Sequence, residues 1–241
     1  MPSWFASRSA FCLAALAVLG TASAVQAQSL AVQPVVVQLA PGQMAETLTI
    51  LNQSSDPSAF QVRAFTWETE NGADKLTPTD KVAISPPLGT IAPNQRQLIR
   101  VVLRQPAQAR EETYRIWIDQ IPAASEPGSI RIALRLSIPI FSAPATRVAP
   151  DLQWRLTRAP GGLLLTATNT GTRHQAVRNI GLATPDGRAL KPGGNTSPYV
   201  LAGGMRQWTF AAPEGAPASL RLTATTQDGP LDRSLVPGSP P

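Results

Sequence analysis

A long stretch of strict alternation between aliphatic and other residues lies near the middle of the chain, at residues 129–141. Its even-numbered positions are all aliphatic: Ile130, Ile132, Leu134, Leu136, Ile138 and Ile140. Successive side chains of a strand point to opposite faces, so the pattern predicts one strand with a wholly aliphatic side. At ~3.3 Å per residue it would be much longer than the usual strand of about 5–6 residues. Either this side is core of its own domain, or part of it is available to another chain.

Short aliphatic and β-branched runs, separated by turn residues, fill most of the rest of the chain. The 24 prolines and 17 glycines are spread evenly, and no window keeps the 3.6-residue period of an amphipathic helix. Asn71-Gly72 is a strong signal for a tight turn between two strands. We therefore predict an all-β protein of sandwiches or barrels.

The chain divides into two parts of similar construction. Seven or more short strands are predicted over residues 28–145, as in an immunoglobulin-like sandwich. A proline- and alanine-rich linker over residues 143–150 follows, and a second set of strands fills residues 150–235. We predict two immunoglobulin-like β-sandwich domains set at an angle across the linker, with a flexible tail at residues 236–241.

The first 27 residues have the pattern of a secretory signal peptide. Arg8 supplies a charged start, an apolar run follows from Ala10 to Gly20, and small residues lead to Ala27. We place cleavage after Ala27, with Ala24 as the second choice. The apolar run is too short to span a membrane, and no other run approaches the ~20 apolar residues required. The sequence thus predicts an exported protein without a transmembrane segment.

Cysteine usage and charge exclude further classes of function. The only cysteine, Cys12, lies in the predicted leader, so no disulfide and no cysteine-based metal site are expected in the mature chain. Loss of Arg8 with the leader changes the net charge from +6 to +5. The remaining arginines are scattered, without the basic patch of a nucleic-acid-binding protein, and we predict no nucleic-acid partner.

The residue combinations that catalysis requires are missing from the sequence. His174 is the only histidine and lies in a polar segment, so we expect it to be solvated. No nucleophile elbow or phosphate loop accompanies it. Glu68, Glu70 and Asp74 lie near the Asn71-Gly72 turn, but their spacing does not match a calcium-binding loop. We predict no enzymatic activity, no metal and no cofactor.

Arginine is the residue type left with useful chemistry. Arg115 lies on the strand before the alternating stretch, and Arg131 and Arg135 lie on the polar side of that stretch. A guanidinium held by fixed neighbours can bind a carboxylate through two parallel hydrogen bonds. We expect Arg131 to be solvated, whereas Arg115 and Arg135 are candidates either for carboxylate binding or for solvation.

Several short motifs, in order along the chain, are similar to those of one protein family. They are Leu48–Asn52, Ala64–Trp67, Pro86–Pro87, Pro93–Val101, Tyr114–Pro122 and Ile132–Pro144. Together they make the chain resemble the periplasmic pilus-assembly chaperones of the chaperone–usher pathway. The sequence of residues 135–141 and the Tyr114-Arg115 pair look like the divergent, archaic-type branch. The resemblance implies a periplasmic, non-enzymatic chaperone.

The resemblance also implies a mechanism. Chaperones of this family bind and stabilise a pilus, fimbrial or coat-protein subunit by lending it a strand that it lacks, and deliver it to an outer-membrane usher. The positions that match the donated residues are Ile130, Ile132, Leu134 and Leu136. Full burial of one aliphatic side chain is worth about 1.5–3 kcal/mol, from which the cost of association must be subtracted.

The chain departs from the family where better-known members bind the terminal carboxylate of the subunit. Those members have an arginine on the first strand and a lysine on the last, and the matching positions here are Val36 and Pro139. Neither side chain can bind an anion, so the resemblance makes Arg115, one strand over, the expected replacement and Arg135 the fallback. Ala143 replaces an interdomain arginine of many members, so the contact between the domains is expected to differ.

A secreted immunoglobulin-like binding or adhesion module without chaperone activity would show the same alternation. In such a module Ile130, Ile132 and Leu134 would be core residues covered by their own domain. In a chaperone, part of the aliphatic side is uncovered in the free protein. The exposure of these side chains therefore distinguishes the two hypotheses.

Overall fold

The computed structural model describes residues 30–122, 132–146, 148–194, 197–212 and 218–238. The predicted signal peptide, Ile130 and Arg131 lie outside these ranges. The described residues form strands, turns and irregular segments without a helix, which confirms the all-β prediction. Accordingly, no helix in the described part of the chain is long and apolar enough to cross a membrane.

Ten strands form the first sandwich. They are β1 (Leu30–Gln33), β2 (Val37–Leu39), β3 (Ala45–Asn52), β4 (Ser58–Glu70), β5 (Ala73–Pro78), β6 (Val82–Ser85), β7 (Leu88–Ile91), β8 (Arg96–Leu103), β9 (Glu112–Ile121) and β10 (Arg135–Ser142). One sheet has the order β1-β3-β8-β6 and the other the order β2-β10-β9-β4-β5, with β7 beside β4. The inward-facing residues of both sheets, such as Leu48 and Ile116, meet in one core.

Eight strands form the second sandwich. They are β11 (Leu152–Ala159), β12 (Gly162–Asn169), β13 (Gln175–Ala183), β14 (Pro192–Gly193), β15 (Tyr199–Val200), β16 (Met205–Ala211), β17 (Leu220–Thr226) and β18 (Gly229–Leu235). Their sheets have the orders β11-β12-β16-β14 and β15-β13-β17-β18, and residues such as Leu165 and Leu222 form a separate core between them. The predicted fold class, two immunoglobulin-like β-sandwich domains, is confirmed.

The predicted Asn71-Gly72 turn connects β4 to β5. Both residues have positive φ, 51° and 80°, as a two-residue hairpin turn requires and as Asn and Gly tolerate best. Glu70 and Ala73 pair directly across the turn. The hairpin brings Asp74 to the second sandwich, where it contacts Arg206.

The strand predicted over residues 129–141 begins later in the structure. β10 starts at Arg135, and residues 132–134 are described but lie outside it. The carbonyl oxygen of Leu134 accepts a hydrogen bond from the backbone N–H of Gln120, so pairing with β9 reaches one residue further. No described backbone group bonds to residues 132 and 133. The aliphatic pattern thus continues beyond the end of the hydrogen-bonded ladder.

One residue of the predicted tail, Gly238, pairs with the edge of β11. The carbonyl oxygen of Gly238 accepts a hydrogen bond from the N–H of Arg158 at 3.1 Å, and its N–H donates to the carbonyl oxygen of Leu156 at 2.9 Å. A free strand edge offers such backbone partners to any nearby segment, whatever its side chains. The composition of the tail, from which flexibility was predicted, therefore carried no signal of this pairing.

Candidate functional site

Exposure rises steadily along the aliphatic side of the alternating stretch, toward its N-terminal end. Ile140 and Ile138 are buried in the core of the first sandwich. Leu136 and Leu134 are half-buried and pack against the same core. Ile132 is 83% exposed. The later part of this side thus belongs to the protein's own core, whereas the earlier part is increasingly uncovered.

The same segment has an unpaired backbone edge. β10 pairs with β9 along its whole length, but on its other side β2 pairs only with Ile140–Ser142. Within the described ranges, no strand lies beside Arg135–Pro139 on that side. The backbone groups of such an edge can pair with a strand of another chain. An exposed aliphatic side chain, Ile132, therefore lies just before a strand whose first residues have a free edge.

Arg115 lies on the outer face of the same sheet, next to the second sandwich. Its guanidinium carbon is 3.7 Å from the centroid of the Trp67 ring and 6.0 Å from that of Tyr199. Across the ladder it pairs with Pro139 of β10. It forms no hydrogen bond or ion pair with any residue that the structure describes. Its charge thus lies against aromatic rings, and no carboxylate of the described ranges pairs with it.

A second arginine, Arg206, joins the two domains. It is 2% exposed, and its guanidinium donates hydrogen bonds to the carbonyl oxygens of Tyr199 and Gly72. At 2.5 Å it also donates to Oδ1 of Asp74. Gly72 and Asp74 lie at the β4–β5 hairpin, so a residue of the second sandwich is fixed to the first through two partly buried hydrogen bonds.

The charges around Arg115 are not balanced. Two guanidiniums, those of Arg115 and Arg206, lie near the single carboxylate of Asp74, which Arg206 already binds. Burial lowers the pKa of Arg115 and the charge of Arg206 lowers it further, whereas Asp74 acts in the opposite direction. A partly buried cation that lacks a partner favours the binding of an anion, because pairing compensates for lost hydration.

Arg135, the other candidate for carboxylate binding, already has a partner. Its Nε donates a hydrogen bond to Oδ1 of Asp119 on β9, and its guanidinium carbon is 4.1 Å from the centroid of the Trp117 ring. Asp119 also accepts a hydrogen bond from Arg63 at 2.6 Å. The structure therefore places the two candidates apart, with Arg115 beside the second domain and Arg135 at the start of β10.

His174 is buried, so the prediction that it is solvated was wrong. Its side chain is 1% exposed, and its ring stacks on Phe141 with the centroids 3.6 Å apart. Oε2 of Glu111 accepts a hydrogen bond from the backbone N–H of His174 at 2.8 Å and lies 2.7 Å from the ring Nδ1. Because Glu111 is 63 residues away, no local pattern could reveal this contact between the domains.

An apolar cluster completes the contact between the sandwiches, which we call the junction. Its buried members come from both domains: Trp67, Phe141, Ala176, Tyr199 and Leu201. Val36, at the first of the two departures from the family pattern, is partly buried against them. This cluster, the Glu111–His174 contact and the Asp74–Arg206 contact hold the two domains together beside Arg115.

The two immunoglobulin-like sandwiches, each with its own core, make this a two-domain β-sandwich protein. Within that class, residues 29–147 match the family of pili and flagellar-assembly chaperones, PapD N-terminal domain. The chain belongs to this chaperone family, through its first domain. A search of curated protein sequences with the whole chain found no match.

Solved structures of pilus-assembly systems share the fold. A chain of the CsuC–CsuE chaperone–tip adhesion subunit pre-assembly complex, from the archaic chaperone–usher Csu pili of Acinetobacter baumannii, is 16% identical with a TM-score of 0.65, over 88% of this chain and 100% of that one. A chain of the Salmonella enterica SafA pilin–SafB chaperone complex is 17% identical with a TM-score of 0.60, and the match covers 88% of this chain and 99% of that one. The E. coli chaperone DraB is 18% identical with a TM-score of 0.56, and the match covers 88% of this chain and 97% of DraB. At these identities the likeness concerns the fold.

Proposed function

We propose that this protein is a periplasmic chaperone without enzymatic activity, exported by a signal peptide at residues 1–27. It captures an incomplete pilus, fimbrial or coat-protein subunit by donor-strand complementation and delivers it to an outer-membrane usher. Membership of the chaperone family supports the general role. The observation that carries the mechanism is the 83% exposure of Ile132, which lies three residues before a strand whose edge is unpaired among the described residues.

The donor residues in this proposal are Ile130, Ile132, Leu134 and Leu136. Burial in a subunit would be worth about 1.5–3 kcal/mol for each side chain that is fully exposed beforehand, and less for the two half-buried leucines. Soluble proteins usually protect a free strand edge with charged residues or cover it. An edge extended by uncovered aliphatic residues favours donation over the alternative, a secreted immunoglobulin-like adhesion module that keeps this side in its own core.

Arg115 is the proposed anchor for the terminal carboxylate of the subunit. Its position in the ladder opposite Pro139 supports this role, because Pro139 matches a cation of better-known members. Its lack of a partner among the described residues supports it as well, whereas Arg135 is bound to Asp119. The departures at Val36 and Pro139 also favour the archaic-type branch.

Co-expression with the cognate pilus, fimbrial or coat-protein subunit tests the proposal. Ile132→Asp places a charge on the donated side and should reduce the amount of co-purified subunit at least tenfold, or about 1.4 kcal/mol. Leu98→Asp is the matched control, since Leu98 is 55% exposed on the opposite sheet. Thermal melts should show that both variants remain folded. Equal capture by the two variants would favour the adhesion-module hypothesis.

A further inference from the structure

An ion cluster crosses three strands on the outer face of the donor sheet. Asp119 on β9 lies between Arg63 on β4 and Arg135 on β10. Its Oδ2 is 2.6 Å from Nη2 of Arg63, and its Oδ1 accepts a hydrogen bond from Nε of Arg135. The carboxylate is 16% exposed, compared with 42% and 52% for the two arginine side chains. One largely buried carboxylate therefore connects the donor strand to the two strands behind it.

An aromatic base supports this cluster. The guanidinium carbons of Arg135 and Arg63 are 4.1 Å and 5.4 Å from the centroid of the Trp117 ring. The ring of Phe65 packs against Trp117 with the centroids 4.4 Å apart. An isolated surface ion pair contributes little to stability, but here charge pairing and cation–π contacts act on the same side chains. Arg135 is thus held in one orientation on the outer face.

Arg135 occupies a decisive position in the proposed donor segment. It is the first residue of β10 and lies between Leu134 and Leu136. Because strand side chains alternate, holding Arg135 on the outer face directs both leucines to the aliphatic side. A slip of one residue would reverse the faces of all these side chains. Leu134 and Leu136 pack only partly against the core, and the fully buried Ile138 that fixes the later part of the strand lies three positions beyond Arg135.

We infer that Asp119, together with Arg63 and Trp117, is a register lock that positions the donor segment before a subunit binds. The inference rests on the proposed function and adds a positioning residue to it. The lock acts through Arg135 and sets which side chains the segment presents. Ordering the segment in advance lowers the entropy cost of capture, which is the general benefit of preorganisation.

Hydrogen exchange of the free mature protein tests the lock without any partner. Asp119→Asn keeps the size of the side chain and removes its charge, so the β10 amides nearest Arg135 and the Gln120 amide should exchange about tenfold faster. Asp119→Glu keeps the charge and should restore most of the protection. The control is Asp232→Asn, which removes a similar ion pair with Arg221 from the second sandwich and should leave β10 unchanged.

Capture of the co-expressed subunit is the second readout. Faster exchange and about tenfold weaker capture in Asp119→Asn, both reversed in Asp119→Glu, would support the lock. Unchanged exchange in Asp119→Asn would overturn it, whether or not the wild type captures a subunit. Faster exchange with undiminished capture would also overturn it, because the cluster would then be structural only. Failure of the wild type to capture any subunit would instead contradict the proposed function.

Discussion

The surroundings of Arg115 differ from those of a solvated surface arginine. It is half-buried, lies 3.7 Å above the ring of Trp67, and shares its surroundings with another arginine, Arg206. The nearby carboxylate of Asp74 is already bound. An arginine that had only a structural role would be expected to have its own acceptor. These surroundings support the role of carboxylate anchor that we propose for Arg115.

We predict that Arg115→Ala leaves the free chaperone folded but weakens subunit capture by about 2–5 kcal/mol, because the carboxylate of the subunit is left buried and unpaired. Pull-down of the co-expressed subunit and a thermal melt of the chaperone alone measure the two effects. Arg100→Ala removes an exposed arginine from the opposite sheet and serves as the control. Unchanged capture by Arg115→Ala would contradict the assignment of Arg115 as the anchor.

The Glu111–His174 contact leads to a prediction about stability. In Glu111→Ala, the buried backbone N–H of His174 loses its acceptor, and the free energy of unfolding should fall by about 1.5–3 kcal/mol. Urea denaturation measures this fall, with Glu68→Ala as a control because Glu68 is exposed on β4. Equal stability of the two variants would show that the contact does not stabilise the junction.

At the scale of the element, β10 combines three environments along eight residues. Its later aliphatic positions are core, its first residue is held by Asp119, and its outer edge is open. The alternating sequence predicted correctly that Leu136, Ile138 and Ile140 face the core, because side-chain period is a local property. The start of the strand at Arg135 was not predictable, because it depends on pairing with β9, which local alternation does not reveal.

The register lock should depend on pH in a defined direction. Burial tends to raise the pKa of Asp119, but hydrogen bonds from Arg135 and Arg63 outweigh it, so this pKa lies below its usual value. The stabilisation is therefore complete above the unfolded-state pKa of about 3.9 and is lost as pH falls through the lower folded-state pKa. Exchange of the β10 amides, corrected for its intrinsic pH dependence, should therefore accelerate only below a pH of about 3.9. Acceleration near neutral pH would contradict this assignment.

At the scale of the whole molecule, the junction determines where the uncovered strand and Arg115 lie relative to the second domain. Sequence patterns predicted the elements that meet there, such as the Asn71-Gly72 hairpin. They could not predict the contacts themselves, because Asp74 and Arg206 are 132 residues apart and each has the composition of a surface residue. The buried state of His174 was missed for the same reason. Pairings between distant polar residues are a property of the assembled fold.

Donor-strand complementation can be tested directly with a single introduced thiol, because the only cysteine, Cys12, lies in the proposed leader. The thiol introduced by Ile132→Cys should react rapidly with a maleimide in the free chaperone. In the complex with the co-expressed subunit, donor-strand complementation should slow this reaction about tenfold or more, while the thiol introduced by Leu98→Cys on the opposite sheet stays reactive. If the thiol at position 132 reacts equally fast in the complex and in the free protein, the segment is not donated and the account is wrong.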